Sequence, residues 1–173
     1  MQIQSLFKNI GDVIEYKKGD VLFRQGEVNT SLFFVSEGLL KAYYVTFEGR
    51  ELIKSFIQED EFIGSLISCR TKQPSTFTVK CIEDSTVMCV AFDSLLEAKL
   101  NPKDISNLMI EALFNLSIKK EQREYEFLCL SAPERYSIFK EKQPNLIERI
   151  TQNDLARYLG ITPVALSRIK NRD

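Results

Sequence analysis

The residues best suited to chemistry lie close together near the end of the chain. They are Thr162, Pro163, Val164, Ser167, Arg168, Lys170 and Arg172, within TPVALSRIKNR. Hydroxyls, guanidiniums and an ammonium repeated along one short segment suit contact with base edges and phosphates in a groove of double-stranded DNA. They do not suit bond-breaking. The chain has no histidine, which removes the commonest general base and metal ligand and excludes serine–histidine and cysteine–histidine catalysis. Cys69, Cys81, Cys89 and Cys129 lie in or beside apolar segments without CxxC spacing, so they read as buried thiols rather than disulfides or metal ligands. No metal site and no enzyme activity are expected.

A helix-turn-helix must position those residues. Thr151 can cap a first helix, with Asp154 three residues on in a near capping-box arrangement. Leu155, Ala156 and Leu159 recur at helical spacing, and Gly160 stands where a helix commonly ends in a left-handed residue. Thr162 then caps a second helix with Pro163 at its first position. Leu166 and Ile169 should form its buried side, leaving the polar set facing outward. Two short helices joined by a glycine turn are also what an ordinary helical hairpin would show, so the order of the whole chain has to decide.

Charge is divided unevenly. The net charge is −1, but residues 1–130 carry 15 Lys and Arg against 19 Asp and Glu, a net of −4, and residues 131–173 carry 8 against 5, a net of +3. The small basic excess implies few phosphate contacts per subunit and so a need for two subunits. At 173 residues and 44% hydrophobic content the chain can build a substantial core. It has neither a membrane-spanning apolar run nor the order of a signal peptide, and a cytoplasmic location without membrane contact is expected.

Upstream, Leu6, Phe7, Ile10, Val13 and Ile14 suggest a short helical lid. From Tyr16 to Phe92, short apolar runs punctuated by glycine (VLF, SLFFV, LLKAYYV, ELIKSFI, FTVKCI, TVMCVAF) predict strands of an antiparallel sandwich or barrel. DSLLEAKL reads as a short helix. Asn101, Pro102 and Asp104 supply a cap, an N1 proline and an acidic third residue for a long helix running to Leu130. About 26 residues at 1.5 Å each would span roughly 39 Å. Its apolar residues Ile105, Leu108, Met109, Ala112, Leu113, Leu116, Phe127 and Leu130 predict a homodimer seam. SAPE is a second capping box starting another helix at a hinge, and LIERI reads as a link to the helix-turn-helix.

This order resembles the CRP–FNR family of bacterial transcription regulators over nearly the whole chain. KKGDVLFRQGE, VSEGLLKAYYV, DEFIGSL, SAPERY and LARYLGITPVALSRIKNR carry the resemblance. It implies an α+β fold: a jelly-roll-like antiparallel β-roll sensor domain (1–101), a long dimerisation helix (102–130) and a C-terminal helix-turn-helix domain (131–173). It also implies a homodimer on a palindromic operator, RNA polymerase as a partner, and base-reading positions at Thr162, Pro163, Val164, Ser167 and Arg168. Gly64, Ser65, Leu66, Ser75 and Thr76 become effector-pocket candidates.

Departures from the family pattern narrow the effector. Cyclic-nucleotide-binding members carry a glutamate where Ser65 stands and an arginine near Ser75, so the ribose and phosphate would lose their charged partners. The N-terminal cysteine cluster of iron–sulfur members is missing, and no histidine can hold haem. Cyclic AMP, an iron–sulfur cluster and haem are therefore not expected, and an unidentified small molecule or no effector remains. Pro163 and Val164 replace charged reading residues, so a different operator is expected, and without a β-hairpin wing beyond Asp173 no backbone contacts from one are expected. Two competing readings are a cupin-like enzyme, disfavoured without histidine, and a dimeric sensor or scaffold whose helix-turn-helix serves packing.

Overall fold

The computed structural model describes residues 3–97 and 102–171. They form two compact units, Met1–Leu108 and Met109–Asp173. The first contains α1 (Ile3–Ile10), β1 (Asp12–Tyr16), β2 (Val21–Phe23), β3 (Ser31–Glu37), β4 (Leu40–Val45), β5 (Glu51–Ile57), β6 (Phe62–Gly64), α2 (Leu66–Thr71), β7 (Thr78–Cys81), β8 (Ser85–Ala91) and α3 (Phe92–Glu97). The long helix α4 (Pro102–Cys129) begins in this unit and runs through the second.

Among the described residues the strands form two four-stranded antiparallel sheets, ordered β1-β8-β3-β6 and β2-β7-β4-β5. First pairs with last, second with seventh, third with sixth and fourth with fifth. The chain is thus one long hairpin wound over itself, a jelly roll. Its interior is filled by Phe23, Phe33, Val35, Leu40, Ala42, Phe77, Val79 and Val87, among others. Phe23 stacks on Phe33 at 6.0 Å and meets Phe77 edge-on at 5.3 Å, geometries that the ring quadrupoles favour.

β3 reads as an unbroken apolar run because both of its faces are covered. Phe33 and Val35 point into the roll, while Phe34 on the other face lies 5.6 Å from the Phe7 ring of α1. The helical pattern expected through Val13 and Ile14 is corrected: Gly11 donates its N–H to the Phe7 carbonyl as α1 ends, and Val13 and Ile14 enter β1 opposite Met88 and Val87. β6 is a further strand, three residues long and without alternation visible in sequence. Where β7 stops short of β4, the Gln25 side-chain amide takes over. Its Nε2 donates to the Val45 carbonyl at 3.0 Å, and its Oε1 accepts from the Val45 N–H at 2.8 Å.

The second unit continues with α5 (Ala132–Lys142), α6 (Pro144–Arg149), α7 (Gln152–Leu159) and α8 (Pro163–Lys170). At the start of α5, the Glu134 carboxylate accepts from the Ser131 N–H at 2.7 Å and from its hydroxyl at 2.6 Å. Those bonds hold the Glu134 carboxyl below the usual range. The expected link LIERI is instead mostly α6, opened by Pro144 and anchored by buried Leu146. The expected cap Asn101 lies outside the described residues. No helix among the described residues is long and apolar enough to cross a membrane.

Candidate nucleic-acid interface

The helix-turn-helix is built by local chemistry that the chain spells out. Thr151 accepts from the Asp154 N–H at 3.1 Å and starts α7. Gly160 ends it at φ 70°, a conformation costly for residues with a Cβ. Thr162 accepts from the Ala165 N–H at 3.2 Å and starts α8, with Pro163 at its first position. Leu155, Ala156, Leu159 and Leu166 are buried together with Tyr136, Phe139, Leu146 and Ile150. Ile169 is half-buried.

The opposite face of α8 is open. Thr162, Pro163, Val164, Ser167, Arg168 and Lys170 are all exposed. Arg172 lies outside the described residues. The Thr162 oxygen is engaged as a cap, so its O–H remains to donate to an acceptor. Lys170 Nζ donates to Gln152 Oε1 at 3.2 Å, linking the end of α8 to the start of α7.

Along α4 the apolar residues divide between faces. Leu108, Met109, Ala112 and Leu116 are half-buried, as is Leu130 just beyond the helix, whereas Leu113 and Phe127 are exposed. The side chain of Ile105 lies outside the described residues. Sequence reasoning missed a second series: Ile110, Phe114, Ile118, Tyr125 and Leu128 are between 49% and 77% exposed. From Phe114 the positions 114, 118, 121, 125 and 128 alternate steps of four and three, the spacing of a coiled-coil seam with Glu121 as its polar member. That signal was present in the sequence, masked by the neighbouring apolar positions.

The effector-pocket candidates are drawn inward. Ser65 is buried and caps the short helix α2, its hydroxyl accepting from the Ser68 N–H at 3.4 Å. Ser75 is buried and donates from its hydroxyl to the Phe77 carbonyl at 2.9 Å, while its backbone exchanges bonds with Gly26 and Glu27. Gly64 lies so close to β3 that a Cβ would fall 2.4 Å from Leu32 Cδ2. Leu66 and Thr76 are exposed. Two surface clefts of about 470 and 370 Å³ lie elsewhere on the roll, the larger beside Arg24, Gln25 and Phe47. None of the five candidates lines either cleft.

Burial raises the pKa of Cys69, Cys81 and Cys89, pushing Cys81 up to about 11, so these thiols stay protonated at neutral pH. Cys129 is exposed, against the expectation that all four would be buried. It is the last residue of α4, where the apolar neighbours Phe127 and Leu128 are exposed as well.

Residues 13–100, half of the chain, match the cyclic nucleotide-binding domain family. The chain belongs to that family. Its relatives place it among the CRP–FNR regulators. The transcriptional activator protein FnrA of Stutzerimonas stutzeri is 28% identical, over 90% of this chain and 68% of its own length. FixK2 of Bradyrhizobium japonicum superposes with a TM-score of 0.82 at 17% identity, covering 94% of this chain and 84% of that one. A CRP/FNR family transcriptional regulator of Thermus thermophilus gives 0.72 at 16% identity, covering 93% and 84%. As in those CRP–FNR folds, an antiparallel roll precedes the long helix and the helix-turn-helix.

Proposed function

We propose that this CRP–FNR protein binds a palindromic DNA operator as a homodimer paired through α4, with the roll as a sensor or vestigial effector domain. The open, polar face of α8 beside a fully buried helix-turn-helix core carries the reading. Thr162, Pro163, Val164, Ser167 and Arg168 face base edges, with Lys170 toward phosphates and the basic Arg172 next in sequence. One such unit with a small basic excess binds weakly. Pairing along Phe114, Ile118, Tyr125 and Leu128 covers exposed apolar surface and presents two α8 helices to successive major grooves about 34 Å apart.

Sites selected from random duplexes should be two-fold symmetric, and sedimentation should give a dimer at micromolar protein. A monomer with and without DNA, or asymmetric selected sites, overturns the proposal. The roll does not take cyclic AMP in this reading. Ser65 and Ser75 are neutral, buried and bonded to backbone, and a lost charge-assisted bond costs about 1.5–3 kcal/mol, roughly ten- to a hundredfold in affinity. Calorimetry should show no saturable cyclic AMP binding at micromolar concentration, and saturation there contradicts it.

A further inference from the structure

Around the turn of the helix-turn-helix, Phe139, Tyr158, Arg123, Phe127 and Arg135 form a ladder of rings and guanidiniums. Phe139 and Tyr158 have ring centroids 5.1 Å apart. The Arg123 guanidinium lies 3.8 Å from the Tyr158 centroid and 4.6 Å from that of Phe127, and Arg135 lies 4.9 Å from Phe127. Both cations also reach the C-terminal end of α7. Arg123 Nη2 donates to the Tyr158 carbonyl at 2.8 Å, and Arg135 donates to the Leu159 carbonyl from Nε at 3.3 Å and Nη2 at 3.0 Å. Arg135 Nη1 donates to the Leu130 carbonyl, just past the end of α4, at 2.6 Å. Cations at the negative ends of helices, with planar faces on aromatic rings, are favourable twice over.

The ladder ties α4 to the turn. A Cβ on Gly160 would come within 2.8 Å of Phe127 Cε1, so the turn admits Phe127 because residue 160 has none. On α4, Arg123 and Phe127 share one face, while Tyr125 of the proposed seam lies about 200° from each at 3.6 residues per turn. The dimer seam and the ladder are thus opposite sides of the same helical turns. Only one helix's thickness separates the two-fold axis from the reading unit. A tilt of about 15° at the ladder would move the far end of α8, about 12 Å long, by roughly 3 Å, close to one base-pair step.

We propose that Arg123, Phe127 and Arg135 are positioning residues that lock the helix-turn-helix onto α4 and thereby set the half-site spacing the dimer accepts. This rests on the dimeric DNA-reading function above. Burial, which lowers the Arg123 pKa and raises that of Tyr158, accords with a dry, ordered contact. Lysine cannot replace this role, since it lacks the planar face and the fork of donors.

The test compares the wild-type chain with Arg123→Lys and Phe127→Leu on the selected palindrome, on palindromes one base pair shorter and longer, and on a single half-site. Circular dichroism and sedimentation establish that each variant is folded and dimeric. The variants should bind the selected palindrome about tenfold more weakly, lose less than about threefold on the half-site, and show spacing preference compressed toward unity. Equal losses on palindrome and half-site, or retained spacing preference in folded dimers, overturns the proposal. Spin labels at Lys120→Cys and Asn153→Cys, in a Cys129→Ser background diluted with unlabelled chain, test the lock without DNA. The distance distribution should be narrow in the otherwise wild-type chain and broad in the variants, and equal widths overturn it. A wild-type chain that binds no palindrome would instead refute the function on which it rests.

Discussion

In the β-roll, Ser65, Ser68 and Ser75 turn inward and bond to backbone groups of the roll itself. In the helix-turn-helix, Ser167, Arg168 and Lys170 turn outward from a core made of leucine and alanine. The same kinds of side chain therefore do opposite work. In the roll they bond to nearby backbone groups; on α8 Ser167 and Arg168 stand in solvent and Lys170 reaches across the surface to Gln152. A polar residue's part in binding is legible only once its own bonds are accounted for.

The largest effects should separate the two units. Phe23→Ala removes a ring from the centre of the roll and should cost about 3–5 kcal/mol, and Leu155→Ala should remove about 2–5 kcal/mol from the second unit. Differential calorimetry should show each substitution lowering a different transition; both lowering one common transition would mean the units do not unfold independently.

Next in size is a crossed pair. Arg168→Ala should change stability by no more than about 0.5 kcal/mol yet weaken operator binding by about 1–3 kcal/mol. Ser75→Ala should do the reverse, costing about 1–3 kcal/mol of stability through the bonds lost at Phe77 while leaving operator affinity unchanged. Denaturant titration and binding isotherms on the same preparations check both, and Arg168→Ala retaining full affinity would remove it from the reading face.

The smallest effect is a pH dependence confined to the roll. The folded pKa of Cys81 is raised from 9.0 to about 11, so its stabilising contribution is complete below about 9 and is lost as pH rises through about 11. Cys81→Ala should flatten that alkaline decline for the roll's transition. In native protein near neutral pH, alkylation should modify Cys129 and spare Cys81, since one is exposed and the other buried.

What could be read from sequence followed the range of the forces involved. Thr151, Gly160, Thr162 and Pro163 act within four residues of themselves, and their caps and turn stand where local spacing put them. Strand pairing acts across the chain. Val13 and Ile14 extended a helical pattern in sequence, but Gly11 and the Met88 and Val87 partners placed them in β1. The Ser75 backbone is held by Gly26 and Glu27, nearly fifty positions away, and no local pattern reports that placement. The ladder of Arg123, Phe127 and Arg135 was invisible for the same reason, since Tyr158 is brought against Arg123 from 35 positions along the chain.

The Gln25 amide has a further consequence for how copies of the chain behave in company. At Val45, β4 runs on past its neighbour β7, leaving one N–H and one C=O that another polypeptide could adopt as a template. The hairpin just beyond holds Phe47 fully in solvent, an apolar handle beside an open backbone edge. By matching that N–H and C=O with its own side chain, Gln25 shuts the edge without adding a residue to the sheet. Freedom from clumping at this corner is thus entrusted to two atoms of one uncharged side chain, and glutamate, which lacks the N–H for the Val45 carbonyl, could supply only half of it.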